Sequence, residues 1–258
     1  MSNFAIEFLT HFMITSLVKF FVLTLSLNFQ QPVSSISTQD ADPNEVYYAD
    51  WDKVLSKHVD GNGKVDYKKI ASDSLFLAVH KNMSKLFPGN NWSRDQQISY
   101  WINMYNVSTI KLICDRYPIK SIMDIEMAFD LLIVKLGDKE YSLNQVEKVF
   151  LNKFNDPRVH FAINCGAVSC PPLMNKSYRA STLNKTLRER TVAFINDPLQ
   201  NEFSTTELKL SKIFEWYKED FTKTNITLIT YLNQFSKVQM AQGIKISYKE
   251  YDWSLNKK

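Results

Sequence analysis

Val159-His160-Phe161-Ala162-Ile163-Asn164-Cys165-Gly166-Ala167-Val168-Ser169-Cys170-Pro171-Pro172-Leu173 carries two of the chain's three cysteines. Val159, Phe161 and Ile163 alternate with the period of a strand. Gly166 permits backbone angles that side chains disfavour, and Pro171-Pro172 stiffens the exit. The stretch predicts a buried strand that delivers Cys165 and Cys170 to a sheet edge. Binding and catalytic groups concentrate on such scaffold-held loops.

Upstream, Asp156-Pro157-Arg158 reads as the turn into this strand. Ser142-Leu143-Asn144-Gln145 has capping-box spacing and opens a helix to about residue 153. Residues 131–136 and 139–141, joined through Gly137-Asp138, read as a hairpin. Ser93 follows the turn Pro88-Gly89-Asn90-Asn91 and caps a long helix to about residue 117, where Pro118 stops it. Ile98, Trp101, Tyr105, Ile110 and Ile113 cover more than one of its faces, so it reads as a central buried helix. Residues 44–58 suit an amphipathic helix, 65–67 a short extended piece, and further helices run to about residue 87.

Downstream, helices are expected over 182–195, from Ser211 onward and over 227–236, with strands at 207–210 and 244–248. The fold class is α+β: a mostly helical single domain around a central buried helix and a small mixed sheet.

The 258 residues are 45% hydrophobic and 13% aromatic, the composition of a chain with a substantial core. The net charge of +4 is mild and the lysines are dispersed, so no nucleic-acid partner is expected. Six glycines form neither G-x-G-x-x-G nor G-x-x-x-x-G-K-[ST], and no cofactor is assigned. Residues 1–35 read as a signal peptide or signal anchor, 36–43 as a linker and 44–258 as the domain. The pattern sharpens if translation starts at Met13. Lys19 then closes the basic region, Phe20 to Leu27 is the apolar stretch, and Val33-Ser34-Ser35 resembles a cleavage site. The expectation is an exported protein, periplasmic or extracellular, touching a membrane only through an uncleaved N-terminal segment.

The domain resembles the family known as domain of unknown function 547. The resemblance rests on Gly63-Lys64-Val65-Asp66-Tyr67, Tyr100-Trp101-Ile102-Asn103-Met104-Tyr105-Asn106, Val146-Glu147, Asp156 to Ala162, Cys165, Ser169-Cys170-Pro171-Pro172-Leu173, Leu210 to Tyr217, Asp220-Phe221 and Tyr251 to Asn256. With smaller matches between them, these segments span about residues 44–256. The resemblance implies membership and no particular activity. The family commonly carries a histidine after the glutamate matching Glu147, where this chain has Lys148, which leaves His160 as the histidine nearest the cysteines.

A thiol nucleophile needs a lowered pKa and a neighbouring base. Cys170 is the candidate nucleophile, with Cys165 beside it, and His160 the candidate base. On a strand of about 3.3 Å per residue, His160 and Asn164 would lie on one face ~13 Å apart, so the loop must fold back for His160 to reach Cys170. Asn103 and Asn106 share a helix face and can orient a histidine or bind an oxyanion, and Glu147 is a further candidate base. A central helix followed by a histidine-bearing strand is similar to papain-like and transglutaminase-like enzymes. There the cysteine opens the helix, whereas Cys114 stands near the end of this one.

Each residue also has a structural reading. Cys165 and Cys170 can form a disulfide, His160 can be a core histidine, the asparagines can tie loops to the helix, and Glu147 can partner a buried polar group. Three functions remain open. One is cysteine-dependent acyl transfer or amide hydrolysis on a small molecule or peptide. The second is a non-catalytic envelope binding module stapled by Cys165–Cys170. The third is zinc binding by His160, Cys165, Cys170 and Glu147. The run from Asp60 to Val65 imitates a calcium loop, but His58 and Lys69 would occupy its first and last ligand positions, so it reads as a glycine turn.

Overall fold

The computed structural model describes residues 45–258, so the expected export segment and linker lie outside the described residues. Three helices come first: α1 (Glu45–His58), α2 (Tyr67–Ile70) and α3 (Ser74–Met83). Between α1 and α2 the Asp60 carboxylate accepts the N–H groups of Asn62 and Lys64, which makes this segment a self-capped turn. Tyr67, expected to end an extended piece, instead begins α2 behind the Asp66 cap.

The central helix α4 (Arg94–Arg116) starts at a complete capping box, in which Ser93 Oγ accepts from Gln96 N and Gln96 Oε1 accepts from Ser93 N. It is buried without interruption from Ile98 to Ile110. A helix buried on every side must lie within a core. Strands β1 (Val134–Leu136) and β2 (Lys139–Tyr141) form the expected antiparallel hairpin. The Ser142 box opens α5 (Leu143–Gln145), which widens into a π turn over Val146–Leu151 and ends in a 3-10 turn at Asn152–Phe154. The π turn buries Val146, Glu147 and Leu151 and leaves Lys148 exposed. Phe150 stacks flat on Trp101 of α4, with ring centroids 4.0 Å apart, which pins the turn to the central helix.

The C-terminal third comprises α6 (Leu183–Ile195), β3 (Glu202–Phe203), β4 (Glu207–Leu210), α7 (Ile213–Trp216), α8 (Lys218–Thr222), α9 (Leu228–Asn233) and β5 (Lys245–Tyr248). β4 is the centre of a mixed sheet, antiparallel to β3 and parallel to β5. The helix expected after Ser211 is broken into α7 and α8 at Tyr217. Two apolar clusters result. One surrounds α4; the other gathers Phe161, Phe194, Phe214, Phe221, Leu208 and Leu210. Among the described residues, no helix is long and apolar enough to cross a membrane.

The strand expected from Val159 onward does not exist. Pro157–Phe161 is a 3-10 helix, capped by Asp156, whose carboxylate accepts from Arg158 N and takes a two-pronged contact from the Arg158 guanidinium. Asp followed by Pro is a helix-start signal, and here it wins over the apolar alternation. The alternation has another cause: Val159 packs into the cluster around α4 and Phe161 into the second cluster. The segment is apolar on two sides because it lies between two cores. His160 therefore stands on a tight helical turn, and strand spacing to Asn164 does not apply.

Asn103 and Asn106 are loop clamps. Asn103 Nδ2 donates to Tyr178 O at 2.7 Å, and its Oδ1 accepts from Tyr178 N at 3.0 Å. Asn106 Nδ2 donates to Ala162 O at 3.0 Å, and its Oδ1 accepts from Asn164 N at 2.8 Å. Each amide pairs with buried backbone as a neighbouring strand would. Asn106→Ala would strand one buried N–H and one buried C=O and is expected to destabilise the fold by about 2–4 kcal/mol. Urea denaturation checks this; a loss below about 1 kcal/mol would show that the clamp does not hold the loop.

Candidate functional site

Five segments supply most of the wall of a cavity of about 190 Å³. The π turn contributes Glu147, the 3-10 turn His160, the following loop Cys165 and Cys170, and the junction of α7 and α8 Trp216 and Tyr217. The C-terminal segment closes it with Tyr251 and Trp253. That segment is held along the cysteine loop by Ser169 N to Asp252 O, Val168 N to Ser254 O and Asn256 N to Gly166 O. Gly166 has φ of 82°, and a Cβ there would lie 2.4 Å from Ile113 Cδ1 of α4. The left-handed φ is what calls for glycine here, and a side chain would in addition push Ile113 aside.

Cys165 and Cys170 are bonded to each other. Cys165 N donates to Cys170 Sγ at 2.9 Å, and the Tyr251 hydroxyl lies 3.2 Å from Cys170 Sγ and 3.3 Å from Cys165 Sγ. Cys170 is therefore no free nucleophile in this state, and the disulfide left open by the sequence is the arrangement present. Cys114 offers no substitute, since burial pushes its thiol up to about 12.

His160 is almost fully buried. Its Nε2 lies 2.9 Å from Asp220 Oδ2 of α8, and its ring stacks on Tyr217 with centroids 3.9 Å apart. The imidazole hydrogen bond holds the Asp220 carboxyl below the usual carboxylate range, so the oxygen accepts and Nε2 carries the proton. His160 Nδ1 is buried and has no hydrogen-bond partner among the described residues. Glu147 is also buried. Burial raises its carboxyl above the ordinary range, against the opposing pull of His160 and of a hydrogen bond from Tyr217. Burial and the adjacent Glu147 push the Tyr217 phenol up in turn.

Of the six candidates, Cys165, Cys170, His160 and Glu147 line one cavity, whereas Asn103 and Asn106 do not. Both asparagine amides are engaged with backbone, which matches the loop-tying reading of these residues. The zinc set is corrected. The two sulfurs are bonded to each other, His160 Nε2 faces Asp220, and no group of three or more His, Cys, Asp or Glu among the described residues is arranged to hold a metal ion. The likeness to thiol enzymes built on a helix and a histidine-bearing strand loses its strand. Lys148 is exposed and takes no part in the lining.

Asp220, Trp216, Tyr217, Tyr251 and Trp253 are not among the site candidates read from the sequence. Trp216 is 47% exposed. The only signal for these residues is their presence in the family-like segments 210–221 and 251–256, because nothing local in a chain shows which distant aromatic will close a cavity.

The model of a family described as "Protein of unknown function, DUF547" matches residues 89–195. This covers α4, the hairpin, the π turn, His160, the disulfide loop and α6. No curated protein and no solved structure matches the chain.

The Glu147 shift has a measurable consequence. A carboxyl whose folded pKa is raised favours the folded state below its unfolded pKa, and that contribution is lost as pH rises through the folded value. Glu147→Gln removes the charge that must be buried at higher pH. The stability of Glu147→Gln relative to the unaltered protein should therefore improve from about pH 4.5, the ordinary glutamate range, toward neutrality. Denaturation midpoints against pH read this; a gap that stays flat or narrows would contradict the burial account.

Proposed function

With the chain assigned to the DUF547 family on residues 89–195, we propose that the protein is an exported binding module that holds a small molecule or the end of a peptide in the Glu147–His160 cavity. The observation that carries this reading is the disulfide in the cavity wall. Both of its sulfurs face the Tyr251 hydroxyl, and the remaining cysteine, Cys114, is a half-buried thiol on α4 outside the cavity. A bridge held in this way fixes the loop that carries it. Aromatic side chains with a few convergent polar groups make up the rest of the wall, as in small-molecule sites generally. Export is supported by the apolar N-terminal stretch and by a disulfide, which persists in oxidising compartments.

A second reading is favoured by one observation: the sulfurs share the cavity with an imidazole backed by Asp220. A dithiol reductant would give two electrons and two protons to the bridge and leave as its own disulfide. The Cys165 N–H and the Tyr251 O–H, already on Cys170 Sγ, would then favour the thiolate. His160 Nδ1 would take the Cys170 proton, and the thiolate would attack an acyl carbonyl. The leaving amine would depart with that proton, and water would release the acid and restore the thiol.

Two measurements test the choice. Iodoacetamide on the unreduced native protein is expected to leave Cys165 and Cys170 unmodified, and reduction under denaturing conditions should expose two further alkylation sites. Selective labelling of Cys170 without reductant would overturn the module and support the thiol enzyme. A panel of amines, sugars, short peptides and carboxylic acids, followed by tryptophan emission and thermal melting, should find at least one class that shifts both, because Trp216 and Trp253 line the cavity. No shift with any class would overturn ligand binding there.

A further inference from the structure

The polar atoms of the cavity are unbalanced. Glu147 is buried, forms no ion pair with a lysine or arginine among the described residues, and takes a hydrogen bond from the Tyr217 hydroxyl. A carboxylate offers about four lone-pair directions, so one phenol leaves it under-supplied. His160 Nδ1 is buried as well and has no hydrogen-bond partner among the described residues. Among the described residues, no lysine or arginine lines the cavity. What the wall lacks is a permanent cation to stand against Glu147.

The apolar lining has a matching bias. Tyr105, Phe129, Trp216, Tyr217, Tyr251 and Trp253 all line the cavity. Trp253 sits at the junction of this wall, 4.6 Å from Tyr251, 5.8 Å from Trp216 and 6.2 Å from Phe129 between ring centroids. Aromatic faces attract cations, tryptophan most strongly. An anionic ligand would meet these faces and Glu147 with no lysine or arginine to offset its charge. A neutral ligand would leave a buried carboxylate unpaired, which is costly.

We propose that the cavity recognises a protonated amine, with the ammonium group at Glu147 and its alkyl stem along the aromatic wall. An R–NH3+ group supplies three donors and one positive charge, the complement of the Glu147 carboxylate. The stem can be that of a free alkylamine or of a lysine side chain at a peptide end; the chemistry of recognition is the same. This assignment rests on the cavity being a binding site, as proposed above.

The test compares hexylamine, hexanol and hexanoate, three ligands of one chain length that differ in charge, by calorimetric titration of the full chain at neutral pH. Hexylamine is expected to bind at least about tenfold tighter than hexanol, with hexanoate weakest. Glu147→Gln should remove the preference, so that hexylamine and hexanol bind that variant with affinities within about threefold of each other. The comparison on the unaltered protein stands even if that variant does not fold. N-acetyl-lysine amide in the same titration separates the sources: binding comparable to hexylamine supports a peptide lysine, and much weaker binding supports a free amine. Hexanol binding as tightly as hexylamine would overturn the ammonium assignment and leave a general apolar cavity. Absence of hexylamine binding, with other classes in the panel still binding, would also overturn it; absence of all binding would remove the site itself.

Discussion

Loops packed against a buried helix carry backbone N–H and C=O groups that water cannot reach, and the fold depends on satisfying them without a large sheet. Buried asparagines perform this task. Asn103 and Asn106 project from α4 and pair with the chain at Tyr178, Ala162 and Asn164. Asn164 closes the cysteine loop by accepting from Gly166 N and donating to Pro171 O. Asn256 joins Gly63 O, Asn164 and the Tyr67 hydroxyl, which ties the C-terminal segment to the turn before α2 and to the cysteine loop. An amide side chain has both a donor and an acceptor, so it can replace the missing strand at each point. The cavity inherits its shape from these clamps, because Asn106 and Asn164 hold the segment that carries His160 and both cysteines.

The site lies where two apolar clusters meet. The short turn at Pro157–Phe161 puts Val159 into one and Phe161 into the other, with His160 between them. A histidine so placed cannot move far, and Tyr217, Phe221 and Asp220 fix its ring from three sides. Glu147 is held as firmly, since its π turn is fastened to Trp101 through Phe150. π turns recur at functional sites because the extra residue redirects a side chain that a regular helix would point elsewhere. The buried polar groups of the cavity are thus rigidly presented.

Much of the architecture was legible locally. Ser93 with Gln96, and Ser142 with Gln145, announced two helix starts, and the continuous burial of α4 follows from apolar residues on all its faces. The hairpin and the strands at 207–210 and 244–248 also fell where alternation and turn residues put them. The segment after Asp156 was misread because alternation has two physical origins, a pleated strand or a short turn wedged between two cores. The chain alone shows only the alternation. The two-residue β3 carries too little pattern to be seen at all.

By itself the sequence determined the class of fold, the identity of the central helix, the family resemblance and the region where chemistry-bearing residues gather. Tertiary structure decided the rest. It joined Cys165 to Cys170, committed Asn103 and Asn106 to backbone, brought Asp220 to His160 across 60 positions and carried Tyr251 and Trp253 back to the cavity. Helix starts and hairpins are set by interactions within a few residues, which a linear reading captures. A cavity is set by which distant surfaces exclude water from one another, and that depends on packing the whole chain at once.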